Sequence, residues 1–134
     1  MTVLSDFPLF NYVILFPRKS LSTREVYTRW EKHPERPPER VDPAFLVERF
    51  RSGFPVENDL EEAVFEISPD ILSFREIFRP LGARSVLVSG SGSSVFSVFR
   101  KQEEAEEIYE YLRTSAEFDV FLAQGISGWH FLAD

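Results

Sequence analysis

The chain has 134 residues and a net charge of −7; 43% of its residues are hydrophobic and 14 are phenylalanine. This length and composition predict one globular domain with a buried core and exclude a disordered chain. The negative charge argues against binding to nucleic acid or to an anionic membrane. The lack of cysteine excludes disulfides, thiolate metal sites and thiol nucleophiles. We find neither a signal peptide nor an apolar stretch of membrane-spanning length, and therefore expect a cytoplasmic protein.

The first predicted elements are a strand and a short helix. Residues 10–16 are mostly aromatic or β-branched, which is typical of a buried strand. Ser22 and Glu25 have the spacing of a capping box and predict a helix over residues 23–32. Residues 33–40 contain three prolines and are predicted to be a surface connection.

Three further helices are predicted before the next strand. Asp42 and Pro43 begin the first, which reaches about residue 51. Asn58 and Asp59 form a cap signal for the second, over residues 60–67. The third follows Ser68 and Pro69, carries apolar side chains at helical period as far as Phe78, and is stopped by Pro80 and Gly82.

A loop rich in glycine and serine, residues 89–94, lies between two hydrophobic segments that both predict strands. Gly90 and Gly92 can adopt positive φ and allow a ligand or a second backbone to approach closely. A flexible linker has a similar composition, but the hydrophobic flanks favour a hairpin within one sheet. Because the loop joins strand to strand, we expect no helix N-terminus behind it.

The last predicted elements are an amphipathic helix over residues 101–113, a strand over 118–123, and a tail over 126–132 that extends the strand. Five glutamates on the outer face of the helix are interpreted as solvated surface in preference to a metal or partner site.

The order of the predicted elements is strand, helical block, strand, strand, helix, strand. This order predicts an α+β fold, the ferredoxin-like plait: a four-stranded antiparallel sheet with helices on one face and an inserted helical block. The other face is then free to be solvated or to cover a partner, and an exposed phenylalanine on it would be diagnostic.

Several motifs occur in a characteristic order. They are the strand over residues 12–17 followed by Ser20, Thr23 and Tyr27, then Asn58-Asp-Leu-Glu61, then Ser89-Gly-Ser-Gly92 with Val95 and Phe96. Together they resemble the C-terminal half of GHMP-type small-molecule kinases, over about residues 10–129. Within that family the pattern is most similar to the branch that phosphorylates a cytidyl-diphosphate sugar alcohol in non-mevalonate isoprenoid biosynthesis.

The resemblance implies site residues as well as a fold. It places Tyr27 where the aromatic ring of this branch stacks on the cytosine of the substrate, with Thr23 nearby on the same helix face. The alternative for Tyr27 is a core position of the first helix. Four residues align with the third signature motif and would form an active-site loop: Ser89, Gly90, Ser91 and Gly92.

This chain departs from the family just after the proline of the first strand. The family usually has glycine and then an apolar residue there, where this chain has Arg18 and Lys19; two cations at these positions favour a diphosphate or are simply solvated. Asn58 and Asp59 match a family motif, but a helix cap explains them fully.

The resemblance also implies that ATP and Mg²⁺ are bound only with an N-terminal domain that carries a glycine-rich phosphate loop and a catalytic Asp and Lys. No such stretch occurs here, so we regard the ATP-binding domain as absent, assign no catalytic residue, and expect this chain alone to lack turnover. The implied partners are a cytidine-diphosphate small molecule and an N-terminal kinase domain or partner chain. His33 and His130 stand apart from any second ligand at metal spacing, so no metal site is predicted.

A second class of function fits the same fold. The chain would then be a stand-alone, non-catalytic module that holds a small anion with the 89–94 loop or a protein with the open sheet face.

Overall fold

The computed structural model describes residues 9–33, 58–83 and 85–125, together with residues 42, 44, 45 and 48. Its elements are β1 (Asn11–Phe16), α1 (Thr23–Trp30), α2 (Glu61–Ile67), α3 (Pro69–Ile77), a 3₁₀ turn (Arg79–Leu81), β2 (Ser85–Val88), β3 (Val95–Phe99), α4 (Gln102–Leu112) and β4 (Asp119–Gln124).

The four strands form one antiparallel sheet in the order β2-β3-β1-β4. This is the strand order of a ferredoxin-like plait, in which the first and third strands lie at the centre. The predicted α+β fold class and four-stranded sheet are therefore confirmed. Within the described part of the chain, no helix is long and apolar enough to cross a membrane.

The alternation of side chains along β1 sets the two faces of the sheet. Val13 and Leu15 are fully buried and lie opposite Ser97 and Val95 of β3. α3 packs on β2 and β3, and α4 packs on β1, β3 and β4. The other row of β1, which includes Tyr12, is only partly buried, and the Tyr12 ring meets Phe96 edge to face at 6.2 Å.

α1 begins as the capping-box spacing predicts. The Ser22 hydroxyl accepts a hydrogen bond from the Glu25 N–H at 3.2 Å, which satisfies one of the unpaired donors of the first turn. Val26 is the buried residue of this helix and anchors it to the core.

The inserted helical block is described in part. The Asp42 carboxylate accepts from the Ala44 N–H at 3.0 Å, and residues 44, 45 and 48 are helical. The rest of the predicted 42–51 helix, most of the 33–40 connection and the 126–132 tail lie outside the described residues. α2 and α3 form as predicted and contribute fully buried side chains to the core, namely Ala63, Val64 and Ile71.

α4 presents its acidic residues to solvent and its apolar residues to the sheet. Ala105, Ile108 and Leu112 are buried in the core. All five glutamates of the outer face are exposed, and Glu106 and Glu110 contact neighbours on the same helix or at its end. The predicted outward orientation of these glutamates is confirmed.

Candidate functional site

The 89–94 loop is a closed turn between β2 and β3. The Ser89 N–H donates to the Ser94 carbonyl at 2.8 Å, and the Gly92 N–H donates to the Ser89 carbonyl at 2.9 Å. The loop therefore joins hairpin partners, and the flexible-linker alternative is wrong. Because these two N–H groups are used inside the loop, they are not available to cradle a phosphate.

The two glycines of the loop meet different requirements. Both have positive φ, +54° at Gly90 and +86° at Gly92. A Cβ added at Gly92 would lie 3.0 Å from Leu21 Cδ1 and 3.4 Å from Val64 Cγ1, whereas one added at Gly90 would meet no atom within 4 Å. Gly92 thus permits close packing over the core, and Gly90 is required for its backbone conformation.

Two of the predicted site residues are in contact. The Thr23 hydroxyl lies 3.0 Å from the Ser91 hydroxyl. Since Thr23 is the first residue of α1, a helix N-terminus does lie beside the loop, and the expectation that none would is wrong. The helix comes from an earlier part of the chain, so the local strand-loop-strand order gave no sign of it.

Tyr27 lies one helical turn beyond Thr23 and therefore on the same side of α1. Its side chain is 47% exposed, so the alternative that it is a core residue is wrong. The core position of α1 is filled by Val26. α1 therefore carries an exposed aromatic ring, that of Tyr27, and its first residue, Thr23, contacts the loop.

Asn58 contacts the loop as well, and Glu61 contacts the strand residue just before it; neither contact was predicted from the sequence. The Asn58 side-chain amide donates to the carbonyls of Val88 and Gly90, both at 2.8 Å, while its oxygen accepts from the Leu60 N–H at 3.1 Å. The Glu61 carboxylate accepts from the Val88 N–H at 2.8 Å. A helix cap therefore does not fully explain Asn58. The available signal was that Asn58 and Glu61 belong to a motif shared with the resembled family.

Arg18 and Lys19 are occupied by the protein's own groups. Arg18 donates to the Ala116 carbonyl at 3.0 Å and to the Asp119 carboxylate at 2.7 Å. The hydrogen bond between Arg18 and Asp119 holds the pKa of Asp119 below its ordinary value and raises the pKa of Arg18. Lys19 lies 3.4 Å from Asp70. The geometry favours ion pairs within the fold over a diphosphate site.

Arg18 has φ +58°, a left-handed conformation that glycine adopts most easily. The backbone at this position therefore keeps the conformation suited to the glycine that the resemblance led us to expect. The Arg18 guanidinium spans from this turn to the start of β4.

His33 does not stand apart, contrary to the sequence analysis. Its Nε2 lies 3.1 Å from Glu66 and its Nδ1 lies 4.0 Å from Glu62, both on α2. Arg29 also lies 3.9 Å from Glu66. The potential ligand atoms of His33, Glu62 and Glu66 lie within 4.8 Å of one another. Arg29 of α1 and His33, just beyond the end of that helix, both face carboxylates of α2, and we interpret the group as a polar cluster that joins this part of the chain to α2. His130 lies outside the described residues.

The plait, with its Ser-Gly-Ser-Gly hairpin loop beside the start of α1, defines a class of domain. The family model for the C-terminal domain of GHMP kinases matches residues 46–117, and the chain belongs to this family.

The named relatives point to one kinase. The chain is similar to the 4-diphosphocytidyl-2-C-methyl-D-erythritol kinase of Desulfotalea psychrophila, with 29% identity over 87% of this chain and 40% of the relative. It is similar to the kinase of the same name from Chloroherpeton thalassium, with 32% identity over 78% of this chain and 38% of the relative. The kinase of that name from Nitratidesulfovibrio vulgaris is 41% identical over 43% of this chain and 20% of the relative.

Solved structures agree with this family. A crystal structure of 4-(cytidine 5'-diphospho)-2C-methyl-D-erythritol kinase superposes with a TM-score of 0.75 at 28% identity, covering 88% of this chain and 43% of that one. A homoserine kinase from Cytophaga hutchinsonii shares the fold, with a TM-score of 0.56 at 16% identity, over 90% of this chain and 44% of that one. The chain therefore spans less than half the length of each of these proteins.

Proposed function

We propose that this chain is the substrate-side, C-terminal domain of a cytoplasmic kinase that uses ATP to phosphorylate 4-diphosphocytidyl-2-C-methyl-D-erythritol, a cytidyl-diphosphate sugar alcohol of non-mevalonate isoprenoid biosynthesis. The observation that carries the proposal is the 3.0 Å contact between Thr23 and Ser91. It unites two motifs that are far apart in the sequence into one surface. The similarity to kinases of this name supports the choice of substrate.

In this proposal Tyr27 provides the surface on which the cytosine ring stacks. Its side chain is 47% exposed, so a base can reach the ring without moving the core. Stacking of a base on an aromatic side chain contributes about 1–3 kcal/mol. Thr23 and the loop residues Ser89, Gly90, Ser91 and Gly92 form the neighbouring part of the site.

We assign ATP and Mg²⁺ to an N-terminal kinase domain, either on the same polypeptide or on a partner chain. The 89–94 loop does not fit a phosphate cradle, because two of its N–H groups are bonded within the loop. Phosphoryl transfer depends on positioning and on electrostatic stabilisation of the phosphates. The 134-residue chain by itself should therefore show only background ATP turnover.

Calorimetric titration with cytidine diphosphate tests the proposed base site. Tyr27→Ala should weaken binding by up to about 100-fold, since a stacking contact is lost. Tyr111→Ala is a matched control, because Tyr111 is 67% exposed on α4 and its loss should leave binding unchanged. Binding that is unchanged in Tyr27→Ala would overturn the assignment of Tyr27.

One observation favours the alternative of a stand-alone binding module. Phe121 lies opposite Ile14, on the sheet face away from the buried row of β1, and it is 53% exposed. An exposed phenylalanine on this face is what a protein-binding surface would show. If the chain responds equally weakly to cytidine, uridine and adenosine diphosphates, this alternative replaces the kinase proposal.

A further inference from the structure

Asn58 and Glu61 together satisfy both backbone groups of one residue at the edge of the sheet. β2 is an outer strand, and its last residue, Val88, pairs with Val95 of β3. The Val88 N–H donates to Glu61 and its carbonyl accepts from Asn58, each at 2.8 Å. The next residue, Ser89, donates across the hairpin to Ser94. Val88 therefore directs its polar groups away from β3, and the two side chains bond to it as a neighbouring strand would.

The side chain of Asn58 uses three of its hydrogen-bonding positions here. One nitrogen donates to the carbonyls of Val88 and Gly90, and the oxygen accepts from the Leu60 N–H. An aspartate has the same shape but no donor, so it would set a carboxylate oxygen against two carbonyl oxygens. Position 58 therefore requires an amide side chain, whereas a helix cap alone would accept an aspartate equally well.

Glu61 is held in place by an ion pair on its other side. Its side chain is only 14% exposed, and its second carboxylate oxygen lies 3.5 Å from Arg75 of α3. The Arg75 guanidinium in turn lies 5.7 Å from the centre of the Phe65 ring. A carboxylate that is mostly buried needs such partners, and these fix the direction in which Glu61 meets Val88.

We propose that Asn58 and Glu61 are positioning residues: they latch Val88 and the 89–94 loop that follows it to the start of α2, and so hold Ser91 beside Thr23. The Asn58 bond to the Gly90 carbonyl is the direct link, because Gly90 precedes Ser91. The role in ligand binding rests on the proposed function, whereas the latch itself is tested without any ligand. The latch couples the inserted helical block to the loop.

Hydrogen exchange of backbone amides tests the latch in the full 134-residue chain. In Asn58→Asp, the Ser89 and Gly92 amides should exchange about tenfold faster or more, the effect of losing about one net hydrogen bond. The Val13 amide in β1 should keep its rate. Asp59→Asn is the matched control, since Asp59 is exposed, and it should change none of these three exchange rates. An unchanged loop rate, or an equal rise at Val13, would overturn the proposal.

Glu61 offers a conservative comparison. Glu61→Gln keeps an oxygen that can accept from the Val88 N–H but loses the ion pair with Arg75, so the Val88 amide should exchange only about threefold faster, whereas Glu61→Ala should speed its exchange by about tenfold or more. Equal rates in the two variants would contradict the role of Glu61.

A measurement on the unaltered chain covers the case in which Asn58→Asp does not fold. The Asn58 side-chain amide protons should exchange with solvent at least about tenfold more slowly than those of Gln124, which is exposed on β4. Similar rates would contradict the latch.

Affinity for cytidine diphosphate separates this inference from the proposed function. If the unaltered chain binds the nucleotide, Asn58→Asp should weaken binding by about tenfold, because the loop no longer holds its position. Undiminished affinity in Asn58→Asp would overturn the positioning role. No binding by the unaltered chain would overturn the proposed function, and the exchange rates would still decide whether the latch exists.

Discussion

The Thr23 hydroxyl lies 3.0 Å from the Ser91 hydroxyl, so the first residue of α1 touches the loop between β2 and β3 although 68 positions separate the two residues. This contact fixes where α1 sits relative to the hairpin. It also places Tyr27, one turn further along α1, on the helix that borders the loop. The site proposed here depends on that arrangement more than on either motif taken singly.

The Thr23–Ser91 hydrogen bond should be measurable by a double-mutant cycle. Thr23→Val and Ser91→Ala each remove one hydroxyl, and their coupling energy in urea unfolding should be about 0.5–1 kcal/mol, as for an ordinary hydrogen bond. Thr28→Val is the matched control, because the Thr28 hydroxyl donates to the Arg24 carbonyl within α1. The effects of Thr28→Val and Ser91→Ala on the free energy of unfolding should be additive. A coupling energy of zero between Thr23→Val and Ser91→Ala would contradict the contact.

The two glycines of the loop should respond differently to alanine. Gly92→Ala should lower the free energy of unfolding by about 2–3 kcal/mol, because the new Cβ combines a left-handed backbone with overpacking against Leu21 and Val64. Gly90→Ala should cost only about 1 kcal/mol, since open space surrounds it. Denaturant unfolding of the two variants measures which of them loses more unfolding free energy. A larger loss in Gly90→Ala than in Gly92→Ala would contradict the packing at Gly92.

Stability should depend on pH through Asp119. Its pKa is lowered in the folded chain, chiefly by the hydrogen bond from Arg18. Because the pKa of Asp119 is lower in the folded chain, its ionised carboxylate stabilises the fold fully at pH values above the unfolded pKa of about 3.9. This stabilisation is lost as the pH falls through the lower folded pKa. NMR titration of the Asp119 carboxyl and acid unfolding curves should show this sign.

Arg18→Gly provides the control for that titration. It removes the cation and also relieves the left-handed strain at φ +58°, so the pKa of Asp119 should rise toward its ordinary value. Arg18→Ala also removes the cation but keeps the unfavourable backbone, and should therefore be less stable than Arg18→Gly. An Asp119 pKa that does not move in either variant would show that Arg18 is not its partner.

Ser97 should be replaceable with a gain in stability. It is fully buried in β3, and its hydroxyl has no hydrogen-bond partner among the described residues. Because an unpaired buried hydroxyl is costly, Ser97→Ala should raise the free energy of unfolding by about 1 kcal/mol. Thermal and urea unfolding provide the measurement, and a clear loss of stability would indicate that the hydroxyl is bonded.

Local patterns predicted the elements well because their causes are local. The Ser22 and Glu25 spacing predicted the start of α1, and the Ser22 hydroxyl makes the expected bond. Hydrophobic periodicity predicted α4 and its exposed acidic face, since that pattern reflects which side of a helix is buried. The element order then predicted the ferredoxin-like plait, and the strand order of the sheet agrees with it.

The site was only partly predictable because its contacts join residues that are distant in the sequence. Asn58 could be understood locally as a cap, yet its amide donates to two carbonyls about 30 residues away. His33 has no acidic partner at metal-ligand spacing in the sequence, and the fold brings Glu62 and Glu66 of α2 beside it. Arg18 adopts a left-handed φ that its residue type does not suggest. Such features depend on how the elements pack against one another in the fold, which the spacing of residues along the chain does not specify.

The central claim is that the surface formed by α1 and the 89–94 loop binds the cytidyl part of the substrate. The most direct measurement is a titration of the 134-residue chain with cytidine diphosphate, followed residue by residue by amide NMR shifts. We predict saturable shifts that cluster at Thr23, Tyr27, Ser91 and Gly92, and weaker shifts with adenosine diphosphate. Shifts that cluster around Phe121, that are the same for every nucleotide, or that fail to appear would contradict the claim.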